Sequence, residues 1–122
     1  MDPEKFLGPA FKKDSRIRYV AIIDGEYHLV ASRMREGVQS FTTEEEDRKF
    51  FHMMPSIIVD AVERLEPLLG QVDNVTVRYE KVLLVFFRVQ LVTVVLSFNP
   101  DVSTPFISSL SEEMRSISYL LT

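Results

Sequence analysis

The chain of 122 residues has no cysteine, no tryptophan, four glycines and two histidines. Without cysteine there is no disulfide framework, no thiolate nucleophile and no thiolate metal site, and a reducing cytoplasm is the expected compartment. Neither a phosphate-binding loop nor a dinucleotide fingerprint occurs among the few glycines. His28 and His52 lack the ligand spacing of a zinc site, and no Gly-x-Ser-x-Gly elbow accompanies them. Glu44-Glu45-Glu46-Asp47 lacks the spaced ligands and central glycine of a calcium loop and reads as a helix start. These residues predict no metal, no cofactor and no enzyme.

Charge of one sign is also scarce. Fourteen bases face eighteen acids, for a net charge of −4. That balance gives no overall pull toward nucleic acid or anionic lipid. The opening Asp2-Pro3-Glu4 is acidic and unlike a secretory signal. Residues 82–98 are nearly all apolar, yet the run is shorter than the about 20 residues a spanning helix needs. Arg88 and Gln90 interrupt its middle, and its valines and phenylalanines favour strands. The apolar share is 46% and the charged share 26%, as in an ordinary globular protein, which predicts one domain over residues 1–122.

What is present is a clear alternation of periods. Asp2-Pro3 opens a helix with Phe6, Leu7, Ala10 and Phe11 as its stripe, shortened or bent at Gly8-Pro9. Two strand-like runs fill residues 17–34, divided by the hairpin signal Asp24-Gly25. Thr42 and Glu45 fit a capping box, and helical spacing continues through Phe50, Met54, Ile57, Ala61, Leu65 and Leu68 to Gly70. Pro55 predicts a kink there, or two abutting helices. Strands follow at 75–79, 82–87 and 91–98, with a turn at Val89-Gln90. Ser103-Thr104-Pro105 starts a last helix carrying Phe106, Leu110, Met114, Ile117 and Leu121.

The order is helix, two strands, helix, three strands, helix. The fourth and fifth strands are apolar on both faces and require cover on both. The expected fold is α/β (α+β): a three-layer sandwich around a five-stranded, mainly antiparallel sheet. The central helix covers one face and the terminal helices the other.

Three surfaces invite a functional reading. The central helix carries a second apolar stripe of Phe51, Met53, Ile58, Val62 and Leu69, broader than a one-sided helix needs. Such breadth means deep burial or contact across a dimer, and the small domain favours the dimer. The short third strand, with Val75, Val77 and Tyr79, belongs at a sheet edge, where pairing with another chain is open. Arg33, Arg35 and Glu36 with Gly37 read either as a strand end and turn or as a basic lip for an acidic partner or phosphate.

This element order resembles the Roadblock/dynein light-chain superfamily over nearly the whole chain. A closer likeness is to small archaeal proteins of this type, through Ile17-Arg18-Tyr19-Val20-Ala21, Met34-Arg35-Glu36-Gly37 and Tyr79-Glu80-Lys81-Val82. Pro55 and Gly8-Pro9 depart from the pattern. The resemblance implies a homodimer or heterodimer that serves as a platform, often for small GTPases or motor complexes. It also implies that the third strand pairs with its twin, bringing Phe51, Ile58, Val62, Val75, Val77 and Tyr79 to the interface. The predicted function is a non-catalytic homodimeric scaffold or regulator. The alternative is a sensory or carrier domain holding a small ligand between sheet and helix, with Phe86, Phe87 and the methionines as candidate lining.

Overall fold

A computed structural model describes residues 2–121. Helix α1 (Glu4–Phe11) leads into strands β1 (Tyr19–Ile23) and β2 (Leu29–Met34). Helix α2 (Glu44–Met54) passes through a π-helical turn (Pro55–Val59) into α3 (Asp60–Glu63), and α4 (Glu66–Leu69) follows. Strands β3 (Val75–Arg78), β4 (Leu83–Val89) and β5 (Val92–Phe98) come next, then α5 (Thr104–Ser116) and a 3-10 turn (Ser118–Leu121). The sheet order is β2-β1-β5-β4-β3, antiparallel at every pairing.

Alternation along β1 explains the three layers. Val20 and Ile22 face Phe6, Leu7 and Ala10 of α1 and Leu110 and Met114 of α5 in one core. Tyr19, Ala21 and Ile23 face Phe51, Met54 and Val59 in the other. The central strand β5 is buried at every position, since its neighbours and both helical layers cover it. The apolar run at 82–98 is therefore a hairpin, and among the described residues no helix is long and apolar enough to cross a membrane.

Local chemistry shifts three expected turns. The capping box lies one residue later than expected. Thr43, in extended conformation, accepts the Glu46 N–H, and the Glu46 carboxylate accepts the Thr43 N–H. Thr42 instead donates its hydroxyl to Asp47. In the β1–β2 connection it is Tyr27, with φ 67, that takes the left-handed conformation rather than Gly25. The Asp24 carboxylate organises that loop by accepting the N–H groups of Glu26 and His28. The β4–β5 turn is Gln90-Leu91, because Val89 pairs with Val92 and Gln90 has φ 57.

Pro55 closes α2 and opens a π-turn whose backbone stays helical and runs on into α3. Its missing N–H is absorbed by the π-turn, in which the Asp60 N–H reaches back five residues to the Pro55 carbonyl. The helix ends further on, and Gly70 at φ 91 supplies the backbone that leaves α4.

Candidate interaction surface

The π-turn decides which helical residues face out. Phe51 and Met54 point at the sheet, so ordinary helical spacing would bring Ile57 or Ile58 there next. One extra residue in the turn moves the core position to Val59. Ile57, Leu65 and Leu68, expected in the buried stripe, stand outside instead, and Ile57 is 63% and Leu68 81% exposed. Met53, Ile58, Val62 and Leu69 are exposed beside them. Phe51 does not belong to this surface. It is 3% exposed, stacks on Tyr19 at 6.1 Å between ring centroids and meets Phe86 edge-on at 6.2 Å. The sequence carried the signal in Pro55, but the α-helical period gave no reason to add a residue.

Strand β3 lies at the sheet edge, hydrogen-bonded on one side to β4, with Val75 opposite Phe86 and Val77 opposite Leu84. Val75 and Val77 are half-buried and packed against the helical core of that face. Arg78 reaches across the other face to the Val102 carbonyl at 3.1 Å, and Tyr79 is exposed. The free edge and the apolar outer face of residues 53–69 thus belong to the same helical side of the sheet.

An ionic cluster holds the helix just beyond the π-turn. Arg88 on β4 bonds Asp60 at 2.6 Å and Glu63 at 3.0 Å, and the Tyr27 hydroxyl donates to Asp60. The Asp60 hydrogen bond is the largest influence raising the Tyr27 hydroxyl above the usual tyrosine range. The Arg88 Nε is buried with no hydrogen-bond partner. His52 meets the Tyr27 carbonyl at 2.8 Å, and its ring lies 6.3 Å from that of His28. Among the described residues, no group of three or more His, Cys, Asp or Glu side chains is gathered as a metal site.

The basic pair on β2 divides. Arg35 donates to the carbonyls of Ile17 at 2.6 Å, Asp14 at 2.8 Å and Phe11 at 3.0 Å. Those bonds tie the end of β2 to the end of α1, so Arg35 is a structural clamp and not an open lip. Arg33 is exposed, 3.6 Å from Glu4, and Glu36 is exposed beside Gly37, whose φ is 81.

A cavity of about 620 Å³ opens between the first turns of α2 and one end of the sheet. Tyr19, Met34, Phe41, Phe50, Phe51 and Leu84 supply its apolar walls, and Asp47 adds a carboxylate. Burial, above all, raises the Asp47 carboxyl from its usual range, opposed by the Thr42 hydrogen bond, while Glu46 and Glu44 push it further up. Burial likewise pushes the Tyr19 hydroxyl up to about 12. Phe86 and Phe87, expected as ligand lining, lie instead at a smaller depression near Arg88.

No family model and no curated protein matches the chain. Solved structures do. A Roadblock/LC7 domain from Streptomyces avermitilis superposes with a TM-score of 0.68 at 8% identity, covering 100% of this chain and 98% of its own. MglB from Myxococcus xanthus gives 0.64 at 21% identity, covering 92% and 85%. An MglB with tetrameric arrangement gives 0.71 at 14% identity, covering 96% and 85%. Matches that take in nearly all of both chains show that this chain has the Roadblock/LC7 fold.

Proposed function

We propose that the chain is a non-catalytic, homodimeric scaffold or regulator that binds another protein, with a small GTPase as the partner class. The observation that carries this reading is the exposed apolar face of Met53, Ile57, Val62, Leu65, Leu68 and Leu69 beside the free β3 edge. Water contact with so much clustered apolar surface is unfavourable, and burying it is worth roughly 25 cal/mol per Å². In the proposed dimer, β3 pairs with its twin and the helices meet beside that seam, with Ile58, Val62 and Tyr79 in contact. Val75 and Val77 support the seam from the half-buried side. The tetrameric arrangement of the similar MglB supports self-association of this fold. The small-GTPase partner rests on the Roadblock likeness.

Sedimentation across a concentration series tests the dimer. A dimer is expected at micromolar protein, and a stable monomer at high micromolar concentration overturns the reading. Immobilised protein should then retain a P-loop GTPase from its native extract in one nucleotide state. Retention indifferent to GTP analogue or GDP argues against that partner class.

The ligand-domain reading is favoured by one observation, the cavity walled by Tyr19, Phe50, Phe51 and Leu84. It does not depend on the dimer.

A further inference from the structure

The cavity under the first turns of α2 has a volume of about 620 Å³, within the roughly 300–1,000 Å³ of small-molecule sites. Its lining holds the rings of Tyr19, Phe41, Phe50, Phe51 and Tyr79. Aromatic faces are electron-rich and attract cations within about 6 Å of the ring centroid. The chain itself uses this property here. The Arg18 guanidinium lies 5.0 Å and the Lys81 ammonium 5.9 Å from the centroid of the Phe41 ring. Arg18 is held there by the Asn99 side chain and the Gln39 carbonyl.

The lining carries three carboxylates, Glu46, Asp47 and Glu80, against two cations, Arg18 and Lys81. Outside the lining, on the same turn of α2, Glu44 is paired with Arg48 and Glu45 with Lys49. Glu46 is folded into the capping box. Asp47 is half-buried at the cavity, accepts the Thr42 hydroxyl, and among the described residues has no ion-pair partner. The cavity therefore joins a wall of rings to a carboxylate held in no ion pair, in a lining with one more acid than base. That combination suits a ligand with an apolar body and one positive charge.

We propose that this cavity binds a small organic cation, an arylalkyl or alkyl amine, with its apolar body against Phe50, Phe51 and Leu84 and its ammonium facing Asp47. This deepens the ligand-domain reading by naming the ligand's chemistry. An amine satisfies Asp47 and the ring faces together. A carboxylate of the same skeleton meets Asp47 and Glu46 as like charges.

Three probes of one skeleton test it on the full chain: phenylbutylamine, phenylbutanol and phenylbutyrate, titrated by calorimetry with NMR shifts of the lining residues. The amine is expected to bind saturably, roughly tenfold tighter than the alcohol, with the carboxylate weakest. Asp47→Asn is expected to abolish that preference, bringing the amine down to the affinity of the alcohol. Leu84→Trp, which fills the cavity, is expected to remove binding of all three. Where either variant loses its fold, lowering the pH through the range in which Asp47 protonates makes the same test on the native chain, and the amine preference must fade. Equal binding of the three probes, or tightest binding of the carboxylate, overturns the cation assignment but leaves a ligand domain. No saturable binding at millimolar probe overturns both. Persistence of the amine preference in Asp47→Asn overturns the role given to that carboxylate.

Discussion

Arg88 meets Asp60 at 2.6 Å, and this contact ties the end of β4 to the first residue beyond the π-turn. Glu63, one turn on, shares the guanidinium at 3.0 Å. The cluster is half-buried, so its parts are held by one another more than by water. Removing Arg88 leaves two carboxylates facing each other. Arg88→Met is expected to cost about 2 kcal/mol in urea unfolding. Adding Asp60→Ala to it should return part of that loss, because one of the two facing charges is gone. A double variant no more stable than Arg88→Met would show that the arginine acts through its packing alone.

Arg35 and Arg33 separate into opposite behaviours. Three carbonyls lose a charged donor in Arg35→Ala, and a loss of about 2 kcal/mol is expected. Arg35→Lys recovers little, because an ammonium cannot span carbonyls that a planar guanidinium reaches together. Arg33→Ala touches one long surface pair and should leave the melting temperature within error. If Arg33 grips an acidic partner, its loss weakens capture most at low salt. Equal destabilisation by the two alanine variants would contradict the clamp.

Asp47 and Glu46 adjoin each other and titrate in opposite senses. The Thr43 backbone N–H holds the Glu46 carboxyl below its usual range. A depressed acid contributes stability above its unfolded value and loses it as pH falls through the folded value. Asp47 is raised, mainly by burial. Its charged form is disfavoured in the folded chain, so it weakens the fold at neutral pH. That penalty is lost as pH falls through the raised folded value, and it is gone below the unfolded one. Asp47→Asn should therefore raise the melting temperature at pH 7 and bring no gain well below the carboxylate range. Glu46→Gln should lower it at pH 7 with a smaller effect in acid. Reversed signs in either series would overturn the assignment of burial and cap.

The layers of the sandwich were legible because strands of period two and helices of period 3.6 announce themselves, and β5 could only be central with apolar residues on both faces. The edge position of β3 was legible for the complementary reason, since its alternation left one side polar. The inner stripe of the helix departs from the α-helical expectation from Ile57 onward. A single periodic stripe drawn through Pro55 assigns Ile57, Leu65 and Leu68 to the core, and the π-turn rotates them out. Arg35 was ambiguous because nothing local reveals that Phe11, Asp14 and Ile17 bring their carbonyls to it. The cavity was invisible for a related cause: Phe41, Phe50 and Leu84 are distant in sequence and share a wall only through the fold.

The separation of Phe51 from its exposed neighbours makes the dimer reading testable by contrast. Phe51 is enclosed by Tyr19 and Phe86, so Phe51→Ala opens a void inside each protomer. Its cost is about 3–5 kcal/mol and should be the same whatever the association state. Leu68 and Leu69 are about four-fifths exposed in the single chain, so replacing them removes almost no internal packing. Leu68→Asp with Leu69→Asp is expected to shift a dimer to a monomer in sedimentation, with circular dichroism unchanged. Charge buried without a partner would oppose pairing from both copies at once. Should the double variant remain a dimer, the seam lies elsewhere. Should it unfold, these leucines already serve the single chain, and the surface is not a free one.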